Sequence, residues 1–292
     1  MTTTAHDTQQ WDRRRLQRTL AAVTALLVLL LAGLAYAVHT AFTSHPSEAA
    51  ATAAEGPVVI DVEDLPTGPS RRDAIAAAPM FAVPPEAARG GEPAAIPAEP
   101  IAIPPAGRVG PADVPTGYPR TPEGAVGQLA AITSATLQSL SLEAATGIYA
   151  AWSQPGAPPA SEWTLMRNLR SFLGSDAAAH LTDPGTALLA TPVGAQVKGV
   201  DGDDWTLACV LMHVEARVVT TARMGYGHCA RMHWTDDTDD TDDTAAGGRW
   251  VIAAGAEPAA APSTWPGTEL ATQAGWRTWV PAEDQGSAEV RS

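Results

Sequence analysis

An uninterrupted apolar stretch near the amino terminus constrains this chain more than any other feature. Residues 20–38, LAAVTALLVLLLAGLAYAV, are 19 residues without a charge. A helix rises about 1.5 Å per residue, so this one would span about 28 Å, close to the hydrocarbon thickness of a bilayer. The stretch therefore predicts a transmembrane helix over residues 19–39, preceded by a tail over residues 1–18.

A cleaved secretory signal is the alternative, because Ala-Tyr-Ala at residues 35–37 resembles a cleavage site. The apolar stretch exceeds the roughly 7–15 residues of a signal-peptide core, which favours a retained anchor. The next basic residue after it, other than histidine, is Arg71, whereas four arginines directly precede it: Arg13, Arg14, Arg15 and Arg18. The positive-inside rule then predicts a single-pass membrane protein with a cytoplasmic amino terminus and an extracytoplasmic carboxy-terminal domain.

The chain is strongly acidic, and its charge is unevenly divided. Its 18 Lys and Arg against 32 Asp and Glu give a net charge of −14. The first 18 residues carry +2, which leaves −16 for the rest. A surface that binds a phosphate backbone needs clustered Lys and Arg. Direct nucleic-acid binding by the exported part is therefore not expected.

Residues 40–117 are predicted to be a disordered linker. They contain fourteen of the 25 prolines and almost no aromatic residue, so they offer too little apolar surface to offset the entropy of ordering. Two pieces interrupt this composition: a strand-like run at residues 58–62, and RRDAIAAAPM at residues 71–80, which has the pattern of one helical turn. Both are interpreted either as chance patterns in a tether or as docking segments for neighbouring subunits.

Helix signals begin after the linker. Thr121 followed by Pro122 is typical of a helix N-terminus, with the hydroxyl as the cap. Ser141 and Ser161 are predicted to cap a second and a third helix, and Gly174 is predicted to end the third.

Beyond these helices the apolar period changes to two, which indicates strands. Four stretches have this pattern: PVGAQVKGV, WTLACVLMHVEARVV, ARMGYGHCARMHW and GRWVIA. The order predicts an α+β domain over residues 118–281, with helices packed on a curved antiparallel sheet, and a disordered tail over residues 282–292. The TDDTDDTDDT repeat at residues 235–244 is predicted to be a solvated hairpin loop. It lacks the Gly and the distal Glu of a calcium-binding EF-hand loop.

The chain's only two cysteines, Cys209 and Cys229, fall in the second and third of these stretches. If the strands pair antiparallel with the cysteines opposite, Trp205 faces His233. An exported location then predicts a disulfide between Cys209 and Cys229. A metal centre and a catalytic thiol are the alternatives, but Cys209, Cys229 and His233 would supply only three of the four ligands that zinc takes.

Strand alternation divides the side chains of this pair between two faces. The face with the cysteines also carries Trp205, His213, Arg231 and His233, whereas His228 points the other way. That other face is the more apolar and is predicted to face the core: Val210, Met212, Val214, Val218, Tyr226, Ala230, Met232 and Trp234.

Catalytic motifs are absent from the sequence. It contains no G-x-S-x-G, no H-E-x-x-H, no phosphate-binding loop and no G-x-G-x-x-G. No catalytic residue, cofactor or metal ligand is therefore predicted, and the chain is not expected to be an enzyme. Trp265, Trp276 and Trp279 are expected to seal the open end of the sheet, the alternative being a groove for a peptide or a glycan.

Three segments carry a family resemblance: GYPRTPEGAVGQLAAI, GYGHCARMHW and STWPGTELATQAGW. They are similar to segments of single-pass membrane proteins that accompany conjugation genes in high-GC Gram-positive bacteria, over roughly residues 117–280. The overall layout also resembles TcpC-type conjugation proteins and the assembly factors of type IV secretion machines. The resemblance implies a nuclear-transport-factor-like fold, but it assigns no role to any single residue.

The function expected from this resemblance is that of a non-catalytic scaffold in a conjugation or secretion complex of the cell envelope. Its expected partners are other envelope proteins, the membrane through one helix, and further copies of the chain. An extracytoplasmic protein that binds cell-wall material or a small ligand is the alternative, and a pocket lined by aromatic and polar side chains would favour it.

Overall fold

The structure is a computed structural model, and it describes residues 65–175, 187–217, 221–236 and 248–282. The predicted cytoplasmic tail, the predicted transmembrane helix over residues 19–39 and the strand-like run at residues 58–62 lie outside these ranges. So do most of the TDDTDDTDDT repeat and nearly all of the predicted tail over residues 282–292. Within the described ranges, every helix falls short of the length and apolar character that a bilayer span requires.

Four α-helices precede the long strands in the described part of the chain: the three that the sequence predicts, and one in the segment predicted to be a linker. The helices of the described part are α1 Pro69–Ala77, α2 Pro122–Gln138, α3 Leu142–Trp152, α4 Thr164–Leu173 and α5 Glu269–Gln273. Gly174 is the C-cap of α4, which confirms the predicted end of the third helix.

Two of the three predicted helix caps are confirmed. Thr121 and Ser141 each accept a hydrogen bond from the backbone N–H three residues on, at 3.1 and 3.2 Å. The third prediction is wrong, because α4 begins at Thr164 with Trp163 at its N-cap, not Ser161. A carboxylate from a distant segment caps this helix instead, as described below.

The strands form an α+β architecture with one large, curled sheet. They are β1 Pro100–Ile103, β2 Arg108–Val109, β3 Pro115–Thr116, β4 Ala187–Val200, β5 Trp205–Arg217, β6 Thr221–Thr235, β7 Arg249–Ile252 and β8 Arg277–Pro281. The six-stranded sheet has the order β1-β8-β4-β5-β6-β7, and β2 pairs with β3. All neighbours in the large sheet are antiparallel except β1 and β8. Within residues 118–281 the predicted order, helices before the long strands, is confirmed, whereas β1 of the same sheet precedes these helices.

The pairing of β5 with β6 has the register that the cysteines predict. Cys209 faces Cys229, and Trp205 faces His233. This register runs without a bulge along the whole pair.

The sheet face toward α2, α3 and α4 carries the main core, as predicted for Val210 and Met212. Trp152 of α3 and Trp250 of β7 are among its largest fully buried side chains. The indole N–H of Trp250 donates to the carbonyl of Pro119 at 2.9 Å, which satisfies its polar atom inside the core.

The opposite face of the sheet is also buried, which the sequence analysis did not predict. Trp205 is 1% exposed, and Leu207 and Cys209 are fully buried. Strand β5 begins WTLACVLM, an almost continuous apolar run. Such a run is typical of a strand covered on both sides.

Residues 65–99, here called the strap, cover part of this second face. Ile75 and Ala76 of α1 pack with Trp205 and Leu207 in one buried cluster. The strap then continues into β1, which joins the sheet through its parallel pairing with β8.

Charged side chains fasten the strap to the sheet. Arg231 of β6 is 6% exposed and donates from Nη1 to Asp73 Oδ1 at 2.7 Å. Asp201, which follows β4, is buried, pairs with Arg72 and accepts a strap backbone N–H at 3.1 Å. Both of these buried charges on the sheet side therefore have their partners on the strap.

The predicted disordered linker over residues 40–117 is wrong for residues 65–117. Composition predicts only whether a segment can form a hydrophobic core by itself. The strap instead covers a face that β5 and β6 already present, and small apolar side chains such as Ala76 suffice for that. Its prolines also lower the entropy lost on ordering, because they restrict the unfolded chain. The RRDAIAAAPM segment is thus not a chance pattern in a tether: it contains most of α1 and packs on the sheet of its own chain.

Candidate functional site

The two cysteines form a disulfide, as predicted. Cys209 and Cys229 have their Cα atoms 4.0 Å apart, and neither thiol is free. Met80 of the strap lies 3.5 Å from Cys229 Sγ, and Trp276 belongs to the same buried cluster. The alternatives of a metal ligand and a catalytic thiol therefore do not apply, and the bond is a crosslink beneath the strap.

The histidines of β5 and β6 do not converge on one point. His213 packs edge-on against Trp265, with ring centroids 5.5 Å apart. His233 faces Trp205 across the strand pair, and His228 packs against Trp163 on the other face. No group of three His, Cys, Asp or Glu that could hold a metal occurs within the described ranges.

The three tryptophans of the carboxy-terminal segment occupy separate parts of the packing. Trp276 is buried in the cluster around the disulfide. Trp279 of β8 packs on the main core, and Trp265 contacts His213. The candidate cavity described next has none of the three in its lining.

A cavity of about 380 Å³ lies where α4, β6 and residues 257–263 meet. Its polar side chains come from all three segments: Arg167, Asn168, Tyr226, His228, Glu257 and Ser263. The volume falls in the range of roughly 300–1,000 Å³ that is typical of small-molecule sites. This cavity is the candidate functional site.

The cavity exists because β7 covers only part of the edge of β6. β7 pairs with the last four residues of β6, and the preceding part of β6 faces residues 253–263 instead. The backbone N–H of Gly227 donates to Ser263 Oγ at 3.1 Å. A Cβ at Gly225 would lie 1.8 Å from the carbonyl oxygen of Thr264, so the close crossing requires glycine.

Glu257 holds the helix end of the cavity in place. Its Oε1 accepts the backbone N–H of Thr164 at 2.5 Å, and its Oε2 accepts the Thr164 hydroxyl. The carboxylate thereby caps α4, where a negative charge is favourable. Arg167 Nη2 lies 3.4 Å from Glu257 Oε2, so the carboxylate is also paired with a cation.

Tyr226 presents a hydroxyl group at the cavity wall. Asn168 Nδ2 donates to the Tyr226 hydroxyl oxygen at 3.0 Å, which leaves the hydroxyl hydrogen to donate elsewhere. Burial raises the pKa of Tyr226 to about 12, so the hydroxyl keeps its hydrogen at neutral pH.

His228 carries a buried polar atom without a partner. The residue is 4% exposed, and its Nε2 has no hydrogen bond to any described residue. The ring packs edge-on against Trp163 at 5.7 Å and parallel to Tyr226 at 6.2 Å, between centroids. Burial lowers the pKa of His228 to about 4, so the imidazole is neutral at pH 7. An unpaired buried polar atom costs about 1–3 kcal/mol. His228 is among the residues that line the cavity, but its Nε2 is itself fully buried.

Acidification is expected to destabilise the domain through His228. Its folded-state pKa of about 4 lies below the ordinary value of 6.5. Between these values the unfolded state binds more protons, so stability falls as the pH drops. From pH 7 to pH 5 the expected loss from this residue is roughly 2 kcal/mol. Urea unfolding at both pH values should show this loss in the wild type and in the control His213→Phe, but not in His228→Phe. The same pH dependence in His228→Phe as in the wild type would contradict the assignment.

Strand alternation places Tyr226 and His228 on the core side, but no sequence pattern indicates a site there. Arg167 and Asn168 lie three and four residues after Thr164, a polar stripe that ordinarily marks a solvated helix face. No local pattern links this stripe to β6 or to residues 257–263. No protein-family model, no curated protein and no solved structure matches this chain. Its function is therefore inferred from fold and site geometry.

Proposed function

We propose that this chain is a non-catalytic, membrane-anchored subunit of a conjugation or type IV secretion-like envelope complex. The order of the elements carries the proposal: α2, α3 and α4 precede β4 to β7, and they pack on one face of the curled sheet. This layering is what a nuclear-transport-factor-like domain of the TcpC type would have.

Two features support an exported, anchored domain. The Cys209–Cys229 disulfide is of a kind that persists in oxidising compartments outside the cytosol. Residues 20–38 have the length and composition of a bilayer span, with four arginines on the predicted cytoplasmic side.

The strap suits a subunit that acts by contact. It is joined to the sheet by buried apolar side chains such as Ile75 and by the Arg231–Asp73 pair. If a partner displaced the strap, the packing of β5 and β6 would therefore change directly. The proposed partners are other envelope proteins and further copies of the chain, because the acidic balance disfavours direct contact with DNA.

A DNA-mobilisation assay in the native host tests this role. Deletion of residues 65–282 is expected to abolish transfer. Alanine substitution of His213, His228 or His233 is expected to lower transfer only as far as it lowers stability, because a contact surface spreads its energy over many residues. A stably folded His233→Ala protein without any transfer activity would contradict the contact role. Undiminished transfer after the deletion would contradict the conjugation role altogether.

Binding of a small molecule outside the cytoplasm is a second candidate function. The cavity beside α4 favours it, because polar side chains from three segments line it together with Pro258 and the alanines at residues 259–261. A ligand and a protein partner would use different parts of the domain, so the two functions are compatible.

A further inference from the structure

We propose that the cavity between α4, β6 and residues 257–263 binds an uncharged, polyhydroxylated molecule of about the size of one sugar ring. This inference rests on the second candidate function, small-molecule binding, and specifies the class of ligand. The proposed role in conjugation does not depend on it.

Two hydroxyl groups of the cavity keep a hydrogen that can donate to a ligand. Tyr226 accepts from Asn168 at 3.0 Å, and Ser263 accepts from Gly227 at 3.1 Å. Both hydroxyl hydrogens therefore remain to donate. His228 also lines the cavity, with its Nε2 buried and without a protein partner. A ligand hydroxyl both donates and accepts, so a molecule with several hydroxyls matches this set.

The charges in the cavity are already balanced. Glu257 is held by Thr164 and lies 3.4 Å from Arg167, and His228 is neutral because it is buried. A charged ligand would lose its hydration without gaining an unpaired counter-ion. An uncharged ligand avoids this loss.

The remaining wall supplies an apolar surface. Pro258 and the three alanines at residues 259–261 line the cavity next to the polar groups. A sugar ring has hydroxyls at its edge and C–H groups on its faces, so it fits a cavity with both kinds of wall. The volume of about 380 Å³ is at the lower end of small-molecule sites, which suits one ring.

Ligand-observed NMR on the full chain tests this proposal. The protein is purified in a detergent without a sugar headgroup, and N-acetylglucosamine is the uncharged probe. The probe is expected to bind saturably, with a Kd on the order of 1 mM or tighter. Glucuronate and glucosamine, which carry a negative and a positive charge, are expected to bind at least ten times more weakly.

Matched variants locate the site. Tyr226→Phe removes one hydroxyl in the cavity and is expected to weaken binding about five-fold. His228→Phe is expected to weaken it at least ten-fold. Tyr149→Phe is the control, because Tyr149 is also buried but is not among the residues that line this cavity, and its hydroxyl donates to the carbonyl of Pro158 at 2.6 Å. Its binding should equal that of the wild type.

The ligand class, the location of the site and the role in conjugation can each fail separately. Equal binding of all three probes would overturn the uncharged class but leave small-molecule binding in place. If none of the three probes binds, both the proposed ligand class and the second candidate function are overturned. Equal losses in Tyr149→Phe and Tyr226→Phe would overturn the location, since both would then report general destabilisation. Normal mobilisation by a His228→Phe protein that has lost binding would leave the conjugation role intact.

Discussion

A chain that begins at Tyr118 is expected to lose cooperative folding, although the sequence predicts that the domain starts there. Removal of the strap would expose Trp205 and Leu207 and leave Arg231 without Asp73. Each large apolar side chain contributes about 1.5–3 kcal/mol when buried. A domain has only about 5–15 kcal/mol of net stability, so several such losses together are of the same size. Circular dichroism melting should show one sharp transition for a chain from residue 60 and a broad one for a chain from residue 118.

Two isoleucines of the strap, one buried and one exposed, provide a matched comparison. Ile75 is buried, and Ile75→Ala is expected to lower the free energy of unfolding by about 2–4 kcal/mol. Ile96 is 78% exposed, and Ile96→Ala is expected to change it by about 0.5 kcal/mol or less. Equal melting temperatures for the chains from residues 60 and 118 would show that the strap contributes nothing to the fold. Equal effects of the two isoleucine substitutions would lead to the same conclusion.

Loss of the disulfide is expected to lower the free energy of unfolding by about 3 kcal/mol. The bond closes a loop over a sequence separation of 20 residues, and the estimate is the chain entropy that such a loop removes from the unfolded state. Guanidinium unfolding of the double variant Cys209→Ala, Cys229→Ala, compared with the oxidised wild type, measures the difference. The β5–β6 pairing should survive in the variant, because the strands share twelve other paired positions on the two sides of the cysteines.

The reduced wild type is the matched control for this loss. It should unfold at the same denaturant concentration as the double variant, since both lack the bond and keep the strap. Alkylation in denaturant without a reductant should modify neither cysteine. Modification of both would show that the thiols are free and that the predicted stabilisation does not exist.

The sequence by itself determined the β5–β6 pair and its register. Strand side chains alternate with a period of two, so a single facing pair, Cys209 with Cys229, sets every other pair between the two strands. The helix caps at Thr121 and Ser141 could be predicted for a similar reason. The hydroxyl oxygen and the backbone N–H that donates to it are only three residues apart. Ser161 failed as a predicted cap because the group that caps α4, Glu257, is 93 residues away from Thr164.

Only the tertiary structure decided the strap and the cavity. An alanine- and proline-rich segment has the same local composition whether it is disordered or lies on an apolar face. Asp73 of the strap pairs with Arg231, which lies 158 residues further along the chain. The cavity likewise needs α4, the uncovered edge of β6 and residues 257–263 at one place. Local periodicity reports which side of an element is apolar, but it carries no information about which distant segment packs there, and both features depend on that choice.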